Sequence, residues 1–107
     1  MDGLVLRNGI TQAVETLRKL SAIAEERLVA EADARIAFEI VYDDAFLRAE
    51  GPQEQRKSIA RSTAMKERRQ HLVREAEVDA LKLKARLTES ELSGMQTVYK
   101  AEIAQLV

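Results

Sequence analysis

Apolar residues recur every three or four positions through most of this chain. Ile10, Val14, Leu17, Leu20, Ala24 and Leu28 set the spacing, and Ala34, Ala37, Val41 and Ala45 continue it. That period predicts an amphipathic α-helix. Ile36, Ile40 and Leu47, with Phe38 and Phe46, widen the apolar surface later in the segment, which predicts the thickest core near residues 34–47. Neither Gly nor Pro occurs between Thr11 and Glu50. At about 1.5 Å per residue such a helix is roughly 60 Å long.

Gly51-Pro52 ends it. Gly51 accepts the left-handed capping conformation, and Pro52 cannot continue the backbone ladder. A short helix over 53–61 follows, and Ser62-Thr63 offers a cap for a last helix over 63–106. In that helix Leu72, Ala76, Ala80, Leu83 and Leu87 share one stripe, extended by Val73, Leu81, Leu92, Met95, Tyr99 and Ile103. Gly94 is its weak point: the helix bends there, or a neighbouring backbone approaches closely. Residues 1–9 hold two glycines and no helical period, so they are expected to form a flexible arm, with Asn8 or Thr11 capping the first helix over 10–50.

The expected fold is all-α: one domain over 10–107, a long antiparallel, coiled-coil-like helical hairpin with a short connecting helix at its tip. Two rods alone leave much apolar surface uncovered, so a homo-oligomer is expected. Its interface is expected at Ile36, Ile40, Phe46, Leu92, Met95, Tyr99 and Ile103.

Composition narrows the chemistry. Aromatics are 4% of the chain and Cys is absent, so the core is aliphatic and neither disulfide nor thiolate chemistry is open to it. No apolar run approaches a membrane span, and Met1 to Arg7 lacks the features of a signal peptide. Asp2 stands where myristoylation needs glycine. These features predict a cytoplasmic protein without a membrane partner.

The net charge of −1 hides a block structure. Residues 1–50 carry ten acids and six bases, and 75–107 carry six acids and four bases. Between them, over 53–74, Arg56, Lys57, Arg61, Lys66, Arg68, Arg69 and Arg74 face only Glu54 and Glu67. A basic block has two readings: an anion-binding surface, or a match to the acidic first helix of the same chain. With no aromatic in the block, nucleic-acid binding there is expected through the phosphate backbone rather than by base stacking.

Other chemistry is thinly supplied. His71 is the sole histidine, with Glu67 and Glu75 one helical turn away on either side, and it reads as a packed or solvated side chain. Asp43-Asp44 interrupts an apolar stretch and is expected to meet a Lys or Arg of the last helix. With one His, no Cys and no Glu-x-x-His motif, no metal or other cofactor is expected. No phosphate loop, nucleophile elbow or HExxH occurs, so no catalytic residues and no enzymatic activity are expected.

The stretch Tyr42-Asp43-Asp44-Ala45-Phe46-Leu47-Arg48-Ala49-Glu50-Gly51, then Glu54-Gln55-Arg56-Lys57, then the charged helix through Lys82, Leu83 and Leu87, resembles a group of small phage proteins. The layout of long helix, glycine-containing break, basic segment and long helix also resembles the phage recombination mediators of the UvsY type. The likeness is one of pattern over residues 34–106. It implies a ring-like homo-oligomer that binds single-stranded DNA and helps load a recombinase, with Arg56, Lys57, Arg61, Lys66, Arg68 and Arg69 as the basic residues concerned. Against this stands a reading from another class: a coiled-coil adaptor or inhibitor that occupies a host protein and binds no nucleic acid. A purely structural coiled coil would do neither.

Overall fold

A computed structural model describes residues 3–106; Met1, Asp2 and Val107 lie outside the described residues. Three helices follow one another: α1 (Gly3–Arg48), α2 (Gln53–Thr63) and α3 (Met65–Leu106). Among the described residues only Ala49, Glu50, Gly51, Pro52 and Ala64 are not helical, and no strand occurs. The fold is an all-α helical hairpin. It divides into two units, residues 3–24 with 80–106, and residues 25–79.

In the first unit α1 and α3 run antiparallel. A Cβ added to Gly3 would lie 3.9 Å from Glu102, and one added to Gly9 would lie 2.7 Å from the Met95 sulfur. The α1 seam is Leu6, Ile10, Ala13, Leu17, Leu20 and Ala24, at alternating steps of four and three. Its α3 counterpart is Leu81, Ala85, Thr88, Leu92, Met95, Tyr99 and Glu102, all buried or half-buried. This alternation is the heptad pattern of coiled-coil packing. Leu6, at 1% exposure, is the one large side chain that is fully buried among the described residues.

The second unit is also antiparallel: Arg27 pairs with Glu77, Glu31 with His71, and Phe46 with Arg56. Here the same heptad carries polar groups, Arg27 and Glu31 on α1 and Glu67, His71 and Arg74 on α3. Burial is complete only at Ala60 and Ala64. Phe38, Tyr42 and Phe46 form an i, i+4 ladder of rings, with centroids 5.8 and 6.5 Å apart. The core expected at 34–47 is therefore thin: its seam residues are half-buried, and Ile36, Ile40 and Leu47 point outward at 48%, 64% and 74% exposure.

The turn is fastened by Arg56. Its guanidinium donates two hydrogen bonds to the Phe46 carbonyl, at 3.0 and 3.2 Å, and lies 4.3 Å from the centre of the Phe46 ring. That carbonyl belongs to the last turn of α1, where no further helical N–H is supplied. Gly51 has φ 107°, a left-handed conformation that an L side chain would strain. Pro52 then starts α2, its carbonyl accepting from the Arg56 N–H at 3.0 Å.

Four boundaries differ from expectation, one of them the end of α1, at Arg48 rather than at residue 50. Residues 3–9, expected as a flexible arm, are helical; Gly9 makes room for Met95 there, and Leu6 anchors the turn. Asn8 and Thr11 lie inside α1, and the Thr11 hydroxyl donates to the Arg7 carbonyl at 2.9 Å instead of capping. Thr63 likewise ends α2 rather than opening α3, its hydroxyl donating to Ile59 at 2.8 Å. Such back-bonding bends helices, and the break falls at the next residue, Ala64. Gly94 does not break the helix and receives no neighbour: α3 continues through it, and a Cβ there would meet nothing within 4 Å.

Candidate nucleic-acid interface

The basic block lies wholly in the second unit, and the fold sorts its members. Arg56 is spent on the turn. Arg74 donates to both Glu77 oxygens, at 3.1 and 3.2 Å, and Arg27 reaches the same carboxylate at 3.1 Å. Lys57 lies 3.5 Å from Glu54. Arg61, Lys66, Arg68 and Arg69 remain exposed and make none of the ion pairs found among the described residues.

Helical geometry divides these four again. Lys66 and Arg69 are three residues apart on α3, so they share a face; Arg68, two residues from Lys66, lies about 200° round the axis from it. Ser62, Thr63, Met65, Lys66, Arg69 and Gln70 line one open pocket of about 480 Å³. A second, of about 330 Å³, shares Arg69 and Gln70 with it and adds Ala34, Val73 and Arg74. Two cations, two hydroxyls and an amide thus border one shallow trough. The groups with donors to spare suit phosphate oxygens: point charge from Lys66, a planar donor fork from Arg69, and neutral donors from Ser62 and Gln70, the Thr63 hydroxyl being held by the Ile59 carbonyl.

The residues expected at an oligomer interface separate too. Ile36, Ile40 and Ile103 are exposed, whereas Leu92, Met95 and Tyr99 are half-buried on the seam toward α1. Phe46 is half-buried against Arg56. What periodicity alone did not reveal is which apolar stripe faces the partner helix: each long helix carries a second one, displaced by two residues from the seam. On α1 the pairs are Arg27 and Val29, Ala34 and Ile36, Phe38 and Ile40, Ala45 and Leu47. On α3 in the second unit they are His71 and Val73, and Arg74 and Ala76; in the first unit Leu81 and Leu83, and Ala85 and Leu87. Two residues are about 200° of helix, so the outer stripe points away from the partner helix.

The outer residues are correspondingly bare, with Val29 at 54%, Val73 at 52%, Leu83 at 53% and Leu87 at 57%. An apolar groove of about 550 Å³ continues the α1 stripe, lined in part by Ile40, Ala45, Ala49 and Ile59. The accessible surface is 8116 Å², against about 6,000 Å² for a folded monomer of 12.0 kDa.

His71 meets a partner that its local sequence did not offer. Its Nε2 lies 3.0 Å from Glu31 on α1 and 3.6 Å from Glu75. Glu67, the other expected neighbour, instead holds a buried Oε2 with no hydrogen-bond partner. Asp44 pairs with Arg48 of its own helix at 3.1 Å, correcting the expected link to the last helix, and Asp43 is exposed.

Among the described residues no helix is long and apolar enough to cross a membrane. Comparison with models of protein families, with curated proteins and with solved structures found no match to this chain.

Proposed function

We propose that this chain is a self-assembling helical hairpin that binds the phosphate backbone of single-stranded DNA along the Ser62–Gln70 trough. In this reading it serves as an accessory protein of recombination or replication. The trough itself carries this reading: Lys66 and Arg69 beside Ser62, with no carboxylate among the described residues within ion-pair reach of either cation. The pattern likeness to the UvsY-type mediators supports the same assignment. Two cations bind weakly alone, but repetition around a homo-oligomer multiplies them along a strand. The outer apolar stripes supply the means of assembly. With no aromatic lining the trough, binding is insensitive to base sequence.

The test is fluorescence anisotropy of a labelled single strand, comparing wild type with Lys66→Glu/Arg69→Glu and with Arg68→Glu. For single strands log K falls with log salt at about 0.7 per phosphate neutralised. The double reversal therefore removes about 1.4 from the slope for each protomer engaged, and Arg68→Glu, on the far face, leaves most of the affinity. Equal losses from both variants would mean a diffuse field rather than a trough.

The bare outer stripes also favour a second reading, a coiled-coil adaptor that buries them against a recombinase or other host protein. That reading predicts no DNA affinity at physiological salt and a partner whose binding is lost on substitution of Leu83 and Leu87.

A further inference from the structure

We infer that Glu31, His71 and Glu75 form a divalent-metal site of the zinc class that ties α1 to α3 in the second unit. One donor atom from each lies within 4.8 Å of the other two. The His71 Nε2 stands 3.0 Å from Glu31 Oε1 and 3.6 Å from Glu75 Oε2. Zinc binds nitrogen and oxygen at about 2.0–2.2 Å in a tetrahedron, whose donor-to-donor edges are then about 3.3–3.5 Å. The two measured edges bracket that length, and the third, between the two carboxylates, is within 4.8 Å.

Spacing and charge favour a cation at this point. His71 and Glu75 are four apart on α3 and therefore project from one face, the spacing by which a single helix presents two ligands. Glu31 faces them from α1 and closes the set. Neither Glu31 nor Glu75 pairs with a Lys or Arg among the described residues. Arg27 and Arg74, which share the seam, are both engaged by Glu77. Glu67, one turn before His71, adds a buried carboxylate oxygen without a hydrogen-bond partner to the same stripe.

The side chains of Glu31 and His71 are only 19% and 18% exposed, while Glu75 is 52% exposed. The site is half-enclosed, with an open side through which an ion enters and where a water completes the tetrahedron. On binding, the proton that Nε2 donates to Glu31 leaves that nitrogen, the neutral ring carries its proton on Nδ1, and Nε2 gives its lone pair to the metal. Because the ligands span two helices, the ion acts as a staple that stabilises the folded hairpin by mass action.

The experiment is calorimetric titration of the full chain with ZnCl2 at pH 7.5, with Glu31→Gln, Glu75→Gln and His71→Ala beside wild type and Glu89→Gln as a remote control. One ion per chain is expected. All three site variants lose it and the control keeps it. Circular dichroism checks each fold, and the isosteric glutamine variants decide should His71→Ala lose helicity. The Co2+-substituted chain should show the intense visible bands of tetrahedral coordination. No heat at pH 7.5, or binding that survives Glu31→Gln and Glu75→Gln, overturns the proposal.

Discussion

Replacing Leu83 and Leu87 together by glutamine tests whether the outer stripe of α3 is an assembly surface. Both lie on the side of α3 turned from α1, at 53% and 57% exposure. Fully burying a leucine is worth about 2 kcal/mol, so covering the exposed half of each yields about 1 kcal/mol. Two such residues on each of two hairpins give about 4 kcal/mol when the hairpins meet through this stripe, roughly a thousandfold in Kd. Glutamine has nearly the helix propensity of leucine, so the hairpin itself should be spared. Sedimentation velocity over a range of concentrations reads the association, and circular dichroism on the same samples reads the helix. Wild type should associate and the variant should dissociate by about three decades in concentration. A wild type that stays monomeric throughout, or a variant that associates as wild type does, would rule out assembly through this stripe.

Arg56→Ala should cost about 2–3 kcal/mol in urea unfolding, from the lost charged hydrogen bonds to the Phe46 carbonyl and the lost ring contact. It should leave the salt slope of DNA binding unchanged, because its guanidinium is not free to meet phosphate. Glu67→Leu should raise stability by about 1–3 kcal/mol in the same assay, since it removes a buried oxygen without a partner. Gly94→Ala should raise the thermal midpoint, with about 1 kcal/mol of added helix stability, as the added Cβ meets nothing within 4 Å.

Much of the architecture is legible in the residues themselves. The Gly51-Pro52 break, the short α2 and the two long helices follow from where helix breakers stand and where they do not. The start of α1 is less legible, because Gly3 and Gly9 look like signals of a loose arm. Gly9 in fact serves packing, leaving space for Met95. The seam of α3 is the harder case. Leu72, Ala76, Ala80, Leu83 and Leu87 form a cleaner apolar stripe than the seam through Glu67, His71, Arg74 and Val78, yet all five are exposed. Periodicity reveals that a helix has an apolar face and not which of two faces meets the neighbour. Strict alternation of three and four, carried from Ala60 through Tyr99, would have marked the inner one.

The candidate site divides on the same ground. The basic block is visible as charge along the sequence, but its separation into turn-bound Arg56, paired Arg74 and the Lys66–Arg69 trough depends on contacts across the hairpin. Glu31 stands 40 residues from His71, so no local motif could join them. Only the antiparallel register places them opposite each other.

In the proposed function, assembly through the outer stripes and phosphate binding through the trough are one activity. Its most direct test is sedimentation velocity of a dye-labelled single strand, followed at the dye wavelength, with protein at physiological ionic strength. The strand is expected to sediment with an oligomer of several hairpins, and Leu83→Gln/Leu87→Gln to return it to the free position. A strand that sediments as free DNA in the presence of assembled wild-type protein would contradict it.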